Sequence, residues 1–211
     1  MSSVISKDLS LAISYLKDNK IIVFPTDTLY GILANALCED CVEKVYKIKK
    51  RTPTKPYLIL IKNLEDLKHF DVSISNIEKK VLLNKGITVI LNLKNPSKWE
   101  YLHRGTNSLA FRIPKNGLIS KLLENLNFPV IAPSANPESL KPASNINEAY
   151  EYFKDSVDLY FDFGKIKNKK PSTIVKFENN KPIIVREGTI SYKQILEIIQ
   201  NPSFQFRKRQ K

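Results

Sequence analysis

Three short stretches of this chain hold residue types from which an anion-binding site can be built. In Phe24-Pro-Thr-Asp-Thr-Leu-Tyr-Gly31, Thr26 and Thr28 stand on either side of Asp27, just ahead of Gly31. Hydroxyls there can donate to a carboxylate, and a glycine lets backbone come close to a ligand. The same pattern also makes an ordinary Asx or ST turn, and the residues alone leave both readings open. Lys49-Lys-Arg-Thr-Pro-Thr-Lys-Pro56 gathers Lys49, Lys50, Arg51 and Lys55 around two prolines. A guanidinium such as Arg51 grips phosphate or carboxylate through paired hydrogen bonds, whereas Lys49 offers a point charge. Pro53 and Pro56 stiffen the loop and lower the entropy cost of holding like charges together; a solvated basic helix end is the competing reading. Ala132-Pro-Ser-Ala-Asn-Pro137 adds Ser134 and Asn136, neutral donors and acceptors beside small side chains.

Two further arginines interrupt apolar runs: Arg112 in Ser108-Leu-Ala-Phe-Arg-Ile-Pro114 and Arg186 in Ile184-Val-Arg-Glu-Gly188. An arginine that closes a buried strand needs a partner, either a structural acid or a ligand anion. Ser172 and Thr173, after Lys169-Lys-Pro171, place hydroxyls at another strand start. The chain has no G-x-x-x-x-G-K-[ST], no G-x-G-x-x-G and no nucleophile elbow, and no cysteine or histidine stands out as a covalent catalyst. Cations and hydroxyls suit binding and the electrostatic stabilisation of phosphoryl transfer.

The elements that must position these residues alternate between helical and extended periods. Leu9, Ile13 and Leu16 mark a helix over 7–19 that leads into a strand over 21–24, so the Thr-Asp-Thr turn sits at a strand end. Val42, Val45, Tyr46 and Ile48 mark a second helix that delivers the basic loop at its C-terminal end, where the helix dipole favours cations. Strands are expected at 57–61, 87–93, 108–113, 129–132 and 158–162. Asn63 is expected to cap a short helix through Phe70, with further helices at 75–84, 118–126, 147–154 and 191–200, the last closed by Pro202. Residues 173–177 and 182–186 flank Glu178-Asn-Asn-Lys181 as a hairpin. Interleaved helices and strands plus a hairpin give a mixed α/β sheet in one domain. Turns at strand ends are where such sheets bind ligands.

At 211 residues and 42% hydrophobic, the chain can bury one sizeable core. No apolar run approaches the roughly 20 residues that cross a bilayer, and the N-terminus lacks the order of a secretory signal, so a cytoplasmic protein is expected. The net charge of +13 predicts salt-sensitive attraction to polyanions; abundant surface lysine is the alternative account. The basic tail 202–211 either touches RNA or is idle. Cys38 and Cys41 form a single C-x-x-C, and the two histidines, His69 and His103, lack ligand spacing. Paired thiols opening an amphipathic helix are therefore expected, in preference to a metal or redox site.

Taken in order, Pro-Thr-Asp-Thr-Leu-Tyr-Gly, Lys-x-Arg with a following Lys-Pro, Arg-x-Pro, Ala-Pro-Ser-Ala-Asn, Ser-Thr-Ile-Val and Arg-x-Gly resemble the YrdC family of threonylcarbamoyl-AMP synthases. The likeness runs from about residue 10 to residue 190. It implies an open, twisted, mixed parallel and antiparallel sheet with flanking helices around a basic concave cavity. By the same likeness residues 1–201 form the catalytic domain, in the family's short form. It also implies an enzyme that makes threonylcarbamoyl-adenylate from L-threonine, bicarbonate and Mg²⁺-bound ATP, releasing pyrophosphate, for modification of adenosine 37 in tRNA. A tRNA threonylcarbamoyl-transferase complex would be the downstream partner. Carried over residue by residue, Lys49 and Arg51 are catalytic and Thr28, Arg112 and Ser172 hold threonine. Arg51, Lys55, Ser108, Ser134, Asn136 and Arg186 lie around ATP, and no resident metal is implied. The chain departs from the family at Leu83-Asn-Lys-Gly86, at Glu138-Ser139, and at Leu60 and Ala132. A non-catalytic tRNA or double-stranded RNA-binding module, and a carbamoyl-adenylate-forming module of hydrogenase maturation, are the alternatives.

Overall fold

The computed structural model describes residues 3–115, 117–166 and 170–201. Lys169, Pro202 and the basic tail lie outside them. The chain opens with β1 (Val4–Ser6), α1 (Leu9–Lys17), β2 (Ile22–Pro25), β3 (Tyr30–Asn35), α2 (Glu39–Lys49) and β4 (Leu58–Leu60). It continues with α3 (Asn76–Leu82), β5 (Ile87–Asn92), α4 (Glu100–His103), β6 (Ser108–Arg112), α5 (Leu118–Glu124) and β7 (Val130–Ile131). Then come α6 (Ile146–Phe153), β8 (Leu159–Phe161), β9 (Thr173–Glu178), β10 (Lys181–Arg186) and α7 (Tyr192–Gln200). The strands form one sheet in the order β1-β8-β2-β3-β7-β4-β6-β5-β9-β10. Pairing is parallel for β1/β8, β8/β2, β4/β6 and β5/β9, and antiparallel elsewhere, so the sheet is mixed and open at β1 and β10.

Alternation along single strands explains the two cores. In β2, Val23 faces one side with Ile32 and Ala34 of β3, while Ile22 and Phe24 face the other with Leu33. The first side is covered by residues of α2, α3, α6 and α7; the second by Ala12 and Leu16 of α1 and Ile119, Leu122 and Leu123 of α5. With both faces covered, these strands read as continuous apolar runs.

Caps set the helix ends. Asp8 accepts from the Ser10 N–H, so α1 begins two residues inside the expected range. Ser75/Glu78 and Ser191/Gln194 are reciprocal capping boxes for α3 and α7. Asn63 caps the expected short helix, which is a 3-10 helix over Leu64–His69 with Phe70 as its C-cap.

Three elements were not foreseen: β1, α4 and, most consequentially, β3. The β3 segment contains Gly31, which by propensity weakens a strand. It is extended here because it pairs antiparallel with β2 on one edge and β7 on the other, and a glycine fits at 31 because a Cβ there would lie 3.1 Å from Thr26 Cγ2 and 3.2 Å from the Pro133 carbonyl. Cys38 and Cys41 are also corrected. They form a disulfide, because the N-cap and third position of α2 bring their Cα atoms to 5.2 Å, within bridging range.

Candidate active site

The basic loop and the Ser-x-Asn turn meet through Lys49. Lys49 is the last residue of α2 and only 2% exposed, and its ammonium donates to the backbone carbonyls of Ser134 and Asn136. Burial, then the charge of Arg51, pushes Lys49 down to about 7, with Glu138 opposing. Lys50 takes the left-handed conformation, φ 48°, that ends α2. This turns the chain back, so that the Arg51 N–H donates to the Tyr46 carbonyl at 3.1 Å.

Arg51 is held in a four-layer stack that the sequence did not reveal. Its guanidinium lies 5.2 Å from the Tyr57 ring centroid, Tyr57 stacks on Tyr46 at 4.2 Å, and Arg104 covers the far side of Tyr46 at 4.0 Å. Glu43 pairs with Arg104 at the outer end. The Tyr46 hydroxyl and Arg51 Nε both donate to the Lys55 carbonyl, at 2.9 and 3.2 Å. The stack therefore fixes the plane of Arg51 and the path of the loop together. Tyr46, Tyr57 and Arg104 are separated in sequence, and only α2, β4 and the segment after α4 bring them together.

The turn between β2 and β3 lies beside the same segment. The Ala135 N–H donates to the Tyr30 carbonyl at 2.8 Å, and Gly31 bridges Ser134. Thr26 closes the turn: its hydroxyl donates to the Leu29 carbonyl at 2.7 Å and accepts from the Thr28 and Leu29 N–H groups at 3.2 Å. Thr28 Oγ1 stands 3.2 Å from Thr26 Oγ1. Thr26 is thus a turn-former, and Thr28 is half-buried beside it.

The partner of Arg112 is Asp27, at 3.0 Å, with the two side chains 4% and 6% exposed. In the sheet, β7 and β4 separate β3 from β6, so this contact ties the tip of the β2–β3 turn to a strand three places away. The pair is close but poorly aligned: among the described residues Asp27 Oδ1 and Arg112 Nε have no hydrogen-bond partner. Burial lowers the pKa of Arg112 and Asp27 opposes it. Arg112 thus keeps donor capacity in a dry place.

Arg186 reaches the same region. A register slip between Ile184 and Arg186 re-aims the end of β10, and Arg186 donates to the Ser172 carbonyl at 3.0 Å. Burial lowers its pKa, and the charge of Arg112 lowers it further. Gly188 makes the approach possible, since a Cβ there would lie 2.2 Å from the Pro171 carbonyl. The fully buried Ser172 hydroxyl is 2.8 Å from Thr88 Oγ1. Ser108 shares a face of β6 with Arg112 by strand alternation but begins the strand, about 13 Å away along it. Its hydroxyl contacts Thr106 at 3.4 Å.

Of the residues expected from sequence, Lys49, Arg51, Lys55, Ser134 and Asn136 form one group. Thr28, Arg112, Ser172 and Arg186 form a second, and Ser108 stands at the far end of its strand. The buried Asn136 amide donates to Pro137 and Leu140 carbonyls at 2.8 and 2.7 Å, leaving Oδ1 without a partner among the described residues. Asp27, Glu138 and the tyrosine stack were missed. Asp27 is the one with a signal available, as the acid between two threonines.

A family model for Sua5, YciO and YrdC proteins, described as "Telomere recombination", matches residues 14–188. The chain belongs to this family. A putative threonylcarbamoyl-AMP synthase of Methanocaldococcus jannaschii is 34% identical over 181 residues, covering 84% of each chain. A threonylcarbamoyl-AMP synthase of Pyrococcus abyssi is 28% identical over 90% of this chain, which spans 57% of that protein's length. The solved structure of the H234A/Y235A form of P. abyssi Sua5 superposes with a TM-score of 0.84 at 25% identity, covering 94% of this chain and 64% of that one. A second structure of that protein, complexed with L-threonine, shares the fold at a TM-score of 0.82 and 24% identity.

Proposed function

We propose that this chain is a threonylcarbamoyl-AMP synthase, condensing L-threonine, bicarbonate and ATP with release of pyrophosphate. The observation that carries the reading is the pairing of the Lys49–Lys55 loop with the Ser134–Asn136 turn, through Lys49, beside a buried arginine with unfilled donor capacity. Relatives that bear the synthase name support the same activity.

In this reading the threonine amine and bicarbonate give a carbamate and water. A carbamate oxygen attacks the α-phosphorus of ATP, the bond from that phosphorus to the bridging oxygen breaks, and pyrophosphate leaves. Arg51, anchored over the Tyr57 ring, binds phosphate oxygens bidentately and stabilises the charge that builds there. Lys49 serves first as a positioning residue that holds the Ser134–Asn136 turn. A polyphosphate bound nearby would favour the charged form of Lys49 and restore the ammonium at neutral pH. Arg112 takes the carboxylate of threonine, with Thr28 and Ser172 on the rest of the amino acid. Lys55, Ser134, Asn136 and Arg186 line the nucleotide, and Ser108 is assigned to its distal end. Magnesium enters with ATP and neutralises phosphate charge when bound. A donor set of cations and hydroxyls does not fit a resident divalent ion, so no step runs through one.

The product would pass to a tRNA-modifying transferase complex in the cytoplasm. Among the described residues no helix is long and apolar enough to cross a membrane. A plain RNA-binding surface would need neither the buried Asp27–Arg112 pair nor the Thr88–Ser172 contact. The test is pyrophosphate release from ATP with and without bicarbonate and L-threonine, with serine as control. Release that depends on both supports the synthase; no release, with salt-sensitive tRNA binding intact, sinks it in favour of RNA binding.

A further inference from the structure

Glu138 follows the Ser-x-Asn turn, and its carboxylate is turned onto the basic loop. Oε2 accepts from the Thr52 backbone N–H at 2.6 Å and from the Thr52 hydroxyl at 2.8 Å. Oε1 accepts from the Lys55 ammonium. The Glu138 N–H in turn donates to the Lys49 carbonyl at 3.0 Å. Three donors from two loop residues thus converge on one carboxylate, and they hold it well below the usual range, at about 2, Lys55 first and Thr52 next. The Glu138 side chain is 19% exposed and Lys55 is 55% exposed, so the cradle is open to solvent on its lysine side.

A backbone N–H, a hydroxyl and an ammonium aimed at one point are the donor set that receives a phosphate oxygen. Here the chain's own anion fills it. We propose that Glu138 is an internal substitute for phosphate, seated on Thr52 and Lys55 in the unliganded protein and displaced when a polyphosphate binds. The identity of that polyphosphate as ATP rests on the synthase reading. Two consequences follow from the geometry. The loop stays ordered while empty, because Glu138 compensates its like charges. Affinity is lowered, because the charge-assisted bonds to Glu138 must be given up before equivalent bonds to phosphate form.

The test compares the intact wild type with Glu138→Gln and Glu138→Ser in calorimetric binding of inorganic tripolyphosphate and of ATP, at fixed ionic strength. Melting temperature serves as the control for folding. Both variants are expected to bind tripolyphosphate about three- to tenfold more tightly than the wild type. The gain should vanish when Lys55→Ala is already present, since the seat is then lost. In the wild type, the ¹³C carboxylate signal of Glu138 should move on adding tripolyphosphate. Equal or weaker binding by a folded variant, or an unmoved Glu138 signal at saturation, overturns the proposal and leaves Glu138 a support for the loop. Tripolyphosphate has no adenosine and needs no threonine. A chain that binds it through this cradle but releases no pyrophosphate with threonine therefore fails as a synthase and keeps the displaced glutamate.

Discussion

Replacing Lys49 by methionine should change how stability depends on pH, and the change can be worked from the site. The substitution keeps an apolar stem in the same space and removes the ammonium that faces the Ser134 and Asn136 carbonyls. In the folded chain Lys49 titrates near 7 and in the unfolded chain near 10.5. Between those values the unfolded state holds a proton that the folded state does not. Stability therefore rises with pH across the window, by on the order of 1.4 kcal/mol per unit at most. The contribution is complete above about 10.5 and lost as pH falls through about 7. For a chain of this size that slope is roughly 3–6 °C of melting temperature per pH unit. Denaturant unfolding of wild type and variant at half-unit steps from pH 7 to 9.5 isolates it, because other titrating groups cancel in the difference. The offset between the two proteins combines carbonyls left without a donor and relief from burying the Lys49 charge, so the slope is the quantity that matters. Parallel slopes for the two proteins would refute a Lys49 that burial has pushed toward neutrality.

Arg51→Ala should abolish threonine-dependent pyrophosphate release while leaving the circular dichroism spectrum unchanged; full activity would break the site assignment. Asp27→Asn leaves Arg112 buried without its counter-charge and should cost about 3–5 kcal/mol by urea unfolding, much of it recovered on adding Arg112→Met. A double-variant loss equal to the sum of the separate Asp27→Asn and Arg112→Met losses would show that the pair is not coupled. Tyr57 carries a buried hydroxyl with no partner among the described residues, so Tyr57→Phe should be neutral or stabilising by up to about 1–3 kcal/mol. Tyr57→Leu removes a layer of the stack and should raise the KM for ATP; identical kinetics for Phe and Leu would mean that Arg51 does not depend on the ring.

Much of the framework was legible because single residues announce it. The apolar runs expected at 21–24, 57–61 and 87–93, the Asn63 cap and the 173–186 hairpin all follow from local periodicity and capping chemistry, whereas the reciprocal boxes at Ser75 and Ser191 emerge from the structure. The cations at the end of α2 and in β6 and β10 were visible by type and position. β3 was not, because its extended backbone is set by pairing with β2 and β7 and runs against the propensity of Gly31. The disulfide was missed because a C-x-x-C spacing does not reveal whether a helix start will set the two sulfurs face to face.

By itself, then, the sequence determined which groups this protein has available for binding anions, and that each lies at the end of a strand or helix. These are properties of residue type and local period. Which group answers which was decided by the tertiary structure. Asp27 reaches Arg112 across three strand positions, Lys49 closes on the carbonyls of Ser134 and Asn136, and Glu138 takes the seat between Thr52 and Lys55. Pairing at such separations depends on sheet order and register. Those are set by the total burial of two apolar faces, a sum over the whole chain that no local motif contains.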